Sequence, residues 1–263
     1  MSLTQKFKKK DLIVFDLDGT LIETKFPMDS EMSKLVSKLL EIKRVAIIGG
    51  GKYGVFQELF LRRLKCRKEL LKNLFLFPAT STAFYKYDRG WKIIYSLLLT
   101  KDEISRIKKA FRDVFKEMGY KHPEKTYGTI IENRGSQVSF SVYGQDLVKR
   151  LGRKGIQMKK DWVRKNFKTK MKIAELVSKK IPDLEVRAAG FTTIDVTRKG
   201  IDKAYGMYQI KRYLKTPISK MFFIGDGIFP GGNDYAIVKT GVDYKAVKNL
   251  SETKKIINEI LKN

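Results

Sequence analysis

Apolar residues fall into two rhythms along the chain. Short unbroken runs, LIVF from Leu12, RVAII from Arg44 and MFFI from Met221, are strand-sized and read as strands buried on both faces. Between them, Met32, Leu35, Val36, Leu39 and Leu40 recur at helical spacing in SEMSKLVSKLLEI, with Ser30 placed to cap that helix. FQELFLRRL, after the Gly49-Gly50-Gly51 triplet, and DKAYGMYQIKRYL, from Asp202, read as further helices. SETKKIINEIL closes the chain as a helix that Ser251 would cap. Continuous strands alternating with helices predict a parallel sheet covered on both faces, an α/β fold.

The middle of the chain changes rhythm. FLFPATSTAFYKYDRGWKIIYSLLL has two strand-like runs around an Asp88-Arg89-Gly90 turn, as a hairpin would. A helix is predicted from about Lys101 to Met118. Beyond it Val138, Phe140 and Val142 alternate with Gln137, Ser139, Ser141 and Tyr143, the signature of a half-buried strand. LEVRAAGFTTIDVT reads as a strand pair around Gly190, with Thr193 and Asp195 on one face. The expected organisation is an α/β core, residues 1–83 and 198–263, interrupted by an inserted α+β module, residues 84–197.

Charge alters this picture. Lys and Arg total 55 of 263 residues against 28 Asp and Glu, a net charge of +27 that attracts polyanions: nucleic acid, acidic membrane or phosphorylated metabolites. Much of the excess is spread along the chain, but Lys149 to Lys172 holds only one acid, Asp161. Val163, Phe167, Met171, Ala174 and Val177 stand near helical spacing there, so the favoured reading is a helix packed on the module's sheet with a solvated lysine face. An electrostatic funnel or nucleic-acid surface is the less favoured reading, and no recognised nucleic-acid module is present.

Other composition signals exclude more than they identify. No apolar run approaches the ~20 residues of a spanning helix, so no membrane association is expected. The basic start MSLTQKFKKK runs into DLIVFDLD, too short and acidic for the core of a signal peptide. A single cysteine, Cys66, rules out an intramolecular disulfide and suits a reducing cytoplasm. The single histidine, His122, precedes Pro123 and is expected in a solvated loop. Monomer and homodimer are both open.

Candidate chemistry lies where strands end. In an open α/β sheet, ligands bind beyond the carboxyl ends of the strands. The predicted loops there carry Asp16 and Asp18, the glycines 49–51, Lys203, and Asp226 with Asn233 and Asp234. Carboxylate oxygens without soft donors favour Mg²⁺. Asp16 would be metal ligand and nucleophile toward a phosphoryl group, with Asp18, two residues on, as general acid and base. Lys203 would offset the charge on Asp16 and the phosphoryl oxygens. Asp226 would complete the metal site, with Asn233 and Asp234 behind it.

DLDGT, Lys203 and GDGIFPGGND together resemble the first, third and fourth motifs of the haloacid dehalogenase superfamily of phosphotransferases. The resemblance implies a Rossmann-like core, Mg²⁺ bound by Asp16, the Asp18 backbone carbonyl and Asp226, and an aspartyl-phosphate intermediate. The inserted module looks like the larger, type IIB cap, which sets substrate specificity. GTIIENRGSQVSF, GFTTIDVTRKGIDKAYG and GDGIFPGGNDYAI are similar to eukaryotic-type phosphomannomutases and related prokaryotic sugar phosphatases. That likeness assigns cap contacts with a small phosphorylated substrate to Arg134, Thr193 and Asp195, and a hexose 1,6-bisphosphate activator in the case of a mutase.

Two departures matter. Where the mutases carry a second cap arginine this chain has Gln145, and Arg150 and Arg153 are the candidates to replace it. Where the second motif offers a hydroxyl, this chain offers Gly49, Gly50 and Gly51, whose backbone amides would bind phosphate or simply form a tight turn. The reading that follows is an Mg²⁺-dependent phosphohydrolase of sugar phosphates or similar metabolites. A phosphomannomutase is the alternative, and a polyanion-binding protein with secondary phosphatase activity the third.

Overall fold

The computed structural model describes residues 7–262; the first six residues of the basic N-terminal stretch and Asn263 lie outside the described residues. The chain divides into two compact units, one running to Ser96 and resuming at Ile201, the other Leu97–Gly200.

The first unit is a seven-stranded sheet. Strands β1 (Leu12–Asp16), β2 (Arg44–Ile48) and β3 (Leu74–Phe77) run parallel with β10 (Met221–Gly225) and β11 (Asp243–Ala246). An antiparallel hairpin, β4 (Ala83–Tyr87) and β5 (Trp91–Ser96), extends the edge, giving the order β11-β10-β1-β2-β3-β4-β5. This corrects the expected boundary at residue 84: the hairpin pairs with β3 and belongs to the core. Its turn is the expected one, with the Asp88 amide donating to the Gly90 carbonyl at 2.8 Å.

Alternation along the strands divides two apolar layers. Ile13, Phe15, Val45 and Ile47 pack with helix α1 (Ser30–Ile42) and helix α7 (Leu250–Leu261), while Leu12, Val14, Ala46 and Ile48 pack with helix α6 (Lys203–Leu214) through Met207 and Ile210. Every residue of β1 is buried, as a central parallel strand requires. The helix after the glycine triplet, α2, begins at Tyr53–Val55 and widens into a π-helical turn over Phe56–Leu61 that turns Phe56 and Phe60 inward.

The second unit is a four-stranded antiparallel sheet in the order β6-β7-β9-β8, from β6 (Ile131–Asn133), β7 (Val138–Ser141), β8 (Leu184–Ala189) and β9 (Thr193–Arg198). Helices α3 (Lys101–Glu117) and α5 (Arg153–Lys180) cover one face, where Phe111, Val114, Ile173 and Val177 meet Val138, Phe140, Ile194 and Val196. A capping box fixes the start of α3, with Thr100 and Glu103 bonding each other's backbone. Gly152, at φ +56°, separates α5 from the short α4 (Leu147–Leu151).

Three local expectations are overturned. The buried side of α5 is Lys170, Ile173, Ala174 and Val177; Phe167 and Met171 are exposed, beyond a break in helical geometry at Asn166. His122 is not a solvated loop residue: it is half-buried among the rings of Phe115, Tyr120 and Phe140, and burial lowers its pKa. Both serine caps are displaced, because the N-cap positions belong to Asp29, whose carboxylate accepts from the Met32 amide at 2.8 Å, and Asn249, which accepts from Glu252 at 3.1 Å.

Asp29→Ala is expected to cost about 1 kcal/mol of stability and Ser30→Ala less than about 0.5 kcal/mol, measured by urea unfolding. Equal losses from the two variants would mean that Asp29 is not the cap.

Candidate active site

Parallel pairing of β1, β2 and β10 brings three chain segments to one sheet edge. Asp16 is the last residue of β1, opposite Ile48 of β2; Asp226 follows β10; Lys203 opens α6, whose N-cap Asp202 accepts from the Tyr205 amide at 2.8 Å. The Lys203 ammonium donates to Oδ1 of Asp16 and to Oδ1 of Asp234. All three residues are buried. The other Asp234 oxygen accepts from the Gly227 amide at 3.0 Å, so Asp234 is committed to lysine and loop.

Asp16, Asp226 and Asp234 each offer an oxygen within 4.8 Å of the others. Burial pushes Asp16 well above the ordinary carboxylate range; Lys203 pulls it back, and Asp234 and Asp226 add to the push. Burial, then Asp234, also raises Asp226. Lys203 itself is opposed by burial, but Asp16 and Asp234 outweigh that and hold it above the usual lysine value. The lysine therefore stays charged, and three carboxylates around one ammonium leave a surplus of negative charge. Oδ2 of Asp16 is buried without a hydrogen-bond partner. All-oxygen donors, surplus negative charge and an unpartnered buried carboxylate oxygen fit a hard divalent cation. Because both Asp234 oxygens are engaged, Asp16 and Asp226 are the residues with capacity to hold it.

The loop after β1 is shaped around that group. Gly19 has φ +89°, and a side-chain carbon there would collide with the Asp226 carboxylate. Asp18 is half-buried, its Oδ1 accepting from the Lys25 amide at 2.9 Å, and Gly19 donates to the Ile22 carbonyl at 2.8 Å. Asn233 is exposed, with its side chain against Gly227, and is not joined to Lys203.

The glycine triplet is less open than its sequence suggests. The Gly49 amide donates to the Phe77 carbonyl at 3.2 Å, which removes it as a phosphate donor. The carbonyls of Gly49 and Gly51 accept from Thr80 and Ala79 at 2.9 and 2.8 Å, stitching the triplet to the turn after β3. Ala79, Thr80 and Ser81 all have positive φ, and Ser81 packs against Gly206 of α6, where a side-chain carbon would strike its hydroxyl. No sequence signal marked this turn, since Pro-Ala-Thr-Ser contains no glycine.

In the second unit the cap candidates form a network of their own. Glu132, Ser139 and Asp195 are register partners on the sheet face opposite the helices. Arg134 donates through Nε to Glu132 at 2.8 Å and through Nη2 to the Gln145 carbonyl oxygen at 2.9 Å. Gln145 donates to the Ser139 carbonyl at 3.1 Å, and the Ser139 hydroxyl to Asp195 at 2.5 Å. Thr193 donates to the Ala189 carbonyl at 2.5 Å. Behind that hairpin the buried Lys170 donates to the Gly190 carbonyl at 2.6 Å, and burial lowers its pKa to about 8.

Comparison with known proteins shows the family. Residues 13–260 match the haloacid dehalogenase-like hydrolases. The chain belongs to that family. It is an enzyme of the phosphatase and phosphotransferase kind. It is 27% identical to the phosphomannomutase of Encephalitozoon cuniculi over 97% of this chain and 94% of that one. With mouse phosphomannomutase 1 it shares 26% identity over 88% and 84%. The fold is that of Plasmodium falciparum IMP-nucleotidase (TM-score 0.72, 17% identity, 99% of this chain and 73% of that chain). A haloacid dehalogenase-like hydrolase from Bacteroides thetaiotaomicron shares it too, at TM-score 0.61 and 16% identity over 95% and 99%. Among the described residues no helix is long and apolar enough to cross a membrane.

Lys203→Met leaves two buried carboxylates without their cation and is expected to cost about 3–5 kcal/mol in metal-free buffer. Millimolar Mg²⁺ should recover part of that loss, read as a Tm difference with and without the ion; identical differences would count against a cation site here. A lysine lowered to about 8 binds fewer protons folded than unfolded. Stability should therefore rise between about pH 8 and pH 10 through Lys170, and the slope should flatten in Lys170→Met.

Proposed function

We propose that the protein is a Mg²⁺-dependent phosphohydrolase of sugar phosphates or similar small phosphometabolites. The observation that carries this reading is the buried Lys203 between Asp16 and Asp234, with one Asp16 oxygen left unpartnered. A strand-end carboxylate fixed by a lysine on one oxygen and open on the other is prepared to attack phosphorus. Asp16 and Asp226 would hold the ion, with the Asp18 backbone carbonyl as a third ligand. When bound, it supplies positive charge against the phosphoryl oxygens.

Asp16 attacks the phosphoryl group, the bond from phosphorus to the sugar oxygen breaks, and Asp18 gives that oxygen its proton. Asp18 then takes a proton from water, which attacks the aspartyl-phosphate and releases phosphate with Asp16 regenerated. Lys203 balances the charge of Asp16 through both steps while Asp234 holds the lysine in place. Of the glycine loop, Gly51 is left as an amide donor for phosphate. In the second unit Arg134, Thr193 and Asp195 contact the sugar-phosphate, and Gln145 orients the Arg134 guanidinium.

A second reading has its own support. The phosphomannomutase relatives extend over nearly the whole chain at 22–27% identity, which favours a sugar hydroxyl as the acceptor and a hexose 1,6-bisphosphate as activator. Against it stands Gln145, which supplies no positive charge for a second phosphate.

Purified protein with Mg²⁺ and mannose 1-phosphate, with and without glucose 1,6-bisphosphate, separates the readings when free phosphate and hexose 6-phosphate are followed together. Free phosphate alone, reduced at least about a thousandfold in Asp16→Asn, is the expected outcome. Hexose 6-phosphate formed only with the bisphosphate would establish the mutase.

A further inference from the structure

The outer side of α5 does not fit a merely solvated helix. Phe167 is 56% exposed and Met171 44%, and Phe191, in the turn between β8 and β9, is 39% exposed. Lys160, Arg164, Phe167 and Met171 follow at spacings of four, three and four, with Lys168 four after Arg164 and three before Met171, so they share one side of a helix that breaks at Asn166. The Lys160 ammonium lies 5.9 Å from the centre of the Phe191 ring, joining that ring to the stripe. Lys154, Lys160, Lys165 and Lys168 are exposed and have no carboxylate partner among the described residues.

We propose that this face binds single-stranded nucleic acid without sequence preference. Exposed rings offer stacking surfaces for bases, and Lys160 and Lys168, unpaired and on the same side as Phe167, match a phosphate backbone, the pairing of features that single-strand binders use. A bilayer surface fits less well: an interfacial helix needs a continuous apolar face with its charges on the other side. Here Lys160, Arg164 and Lys168 interrupt Phe167 and Met171 on the same side. This face belongs to the second unit and Asp16 to the first, and the proposal does not rest on the phosphohydrolase reading.

The test is fluorescence anisotropy of a labelled 20-nucleotide oligouridylate titrated with the full chain at several salt concentrations. Affinity should fall with salt at a log–log slope of about −3, as about four phosphate contacts require. Phe167→Ala should weaken binding about tenfold, as should Phe191→Ala. Lys160→Glu with Lys168→Glu should weaken it further, while Phe167→Ala and Phe191→Ala keep the wild-type urea-unfolding midpoint. An RNA duplex of equal length should bind more weakly than the single strand. Equal affinity for the duplex, or Phe167→Ala and Phe191→Ala both binding like wild type, would overturn the proposal in favour of unspecific charge attraction. So would binding to phosphatidylserine vesicles without binding to RNA.

Discussion

Everything at the candidate site depends on one buried ammonium. Lys203 joins Asp16 and Asp234, residues that stand 187 and 31 positions from it in the chain, at a place closed to water. A buried ion trio of this kind is seldom retained for stability alone, because desolvation of the charges offsets most of their attraction. Its presence at the end of the central strand is better explained by chemistry. The parallel sheet is what makes the arrangement possible, since every parallel crossover returns the chain with its carboxyl end at the same edge. The lysine compensates one carboxylate's charge and leaves the rest, so the fold itself creates the demand for a cation.

The loops beside the lysine are held by backbone bonds more than by side chains. The glycine triplet gives two carbonyls and one amide to the strand and turn next to it. That turn carries consecutive residues in the left-handed region without a glycine, at a cost of order 1 kcal/mol or more each. Such strain persists where surroundings enforce it. The stitching to Gly49 and Gly51 and the close packing of Ser81 on Gly206 are the enforcing contacts. The second loop therefore fixes the shape of the first, and through Ser81 it also abuts α6, the helix that begins with Lys203.

Strand identity was legible because burial on both faces leaves an unbroken apolar run, and the Asp-x-Asp-Gly-Thr stretch stood out because two carboxylates after such a run have no packing purpose. What could not be read depended on partners distant in sequence. The hairpin from Ala83 has the same alternation whether it joins β3 or another sheet, so its place in the core was invisible. The outer residues of α5 share a helical period with its buried ones, and only the break at Asn166 and the position of the sheet decide which side is covered. His122 looked like a loop residue because its aromatic neighbours arrive from Phe115 and Phe140. The turn after β3 was missed because its conformation is enforced by neighbours and contradicts its own residue preferences.

The same distinction bears on which charges the second unit's polar sheet face can hold. Charge on the polar sheet face of the second unit is already balanced at Arg134, which shares its guanidinium between Glu132 and the neutral amide of Gln145. Asp195 adds a negative charge, tempered by the Ser139 hydroxyl. Arg187, the register partner of Asp195 in the same cross-strand row, adds a second guanidinium to that face, 3.8 Å from the Glu185 carboxylate. Thr193, Asp195 and Gln145 add hydrogen-bonding groups of both kinds. The face therefore mixes neutral hydrogen-bonding groups with two guanidinium groups and the carboxylates beside them. The departure at Gln145 is thus a change in which charges the face can hold, with a neutral amide that accepts from Arg134 and donates to the Ser139 carbonyl.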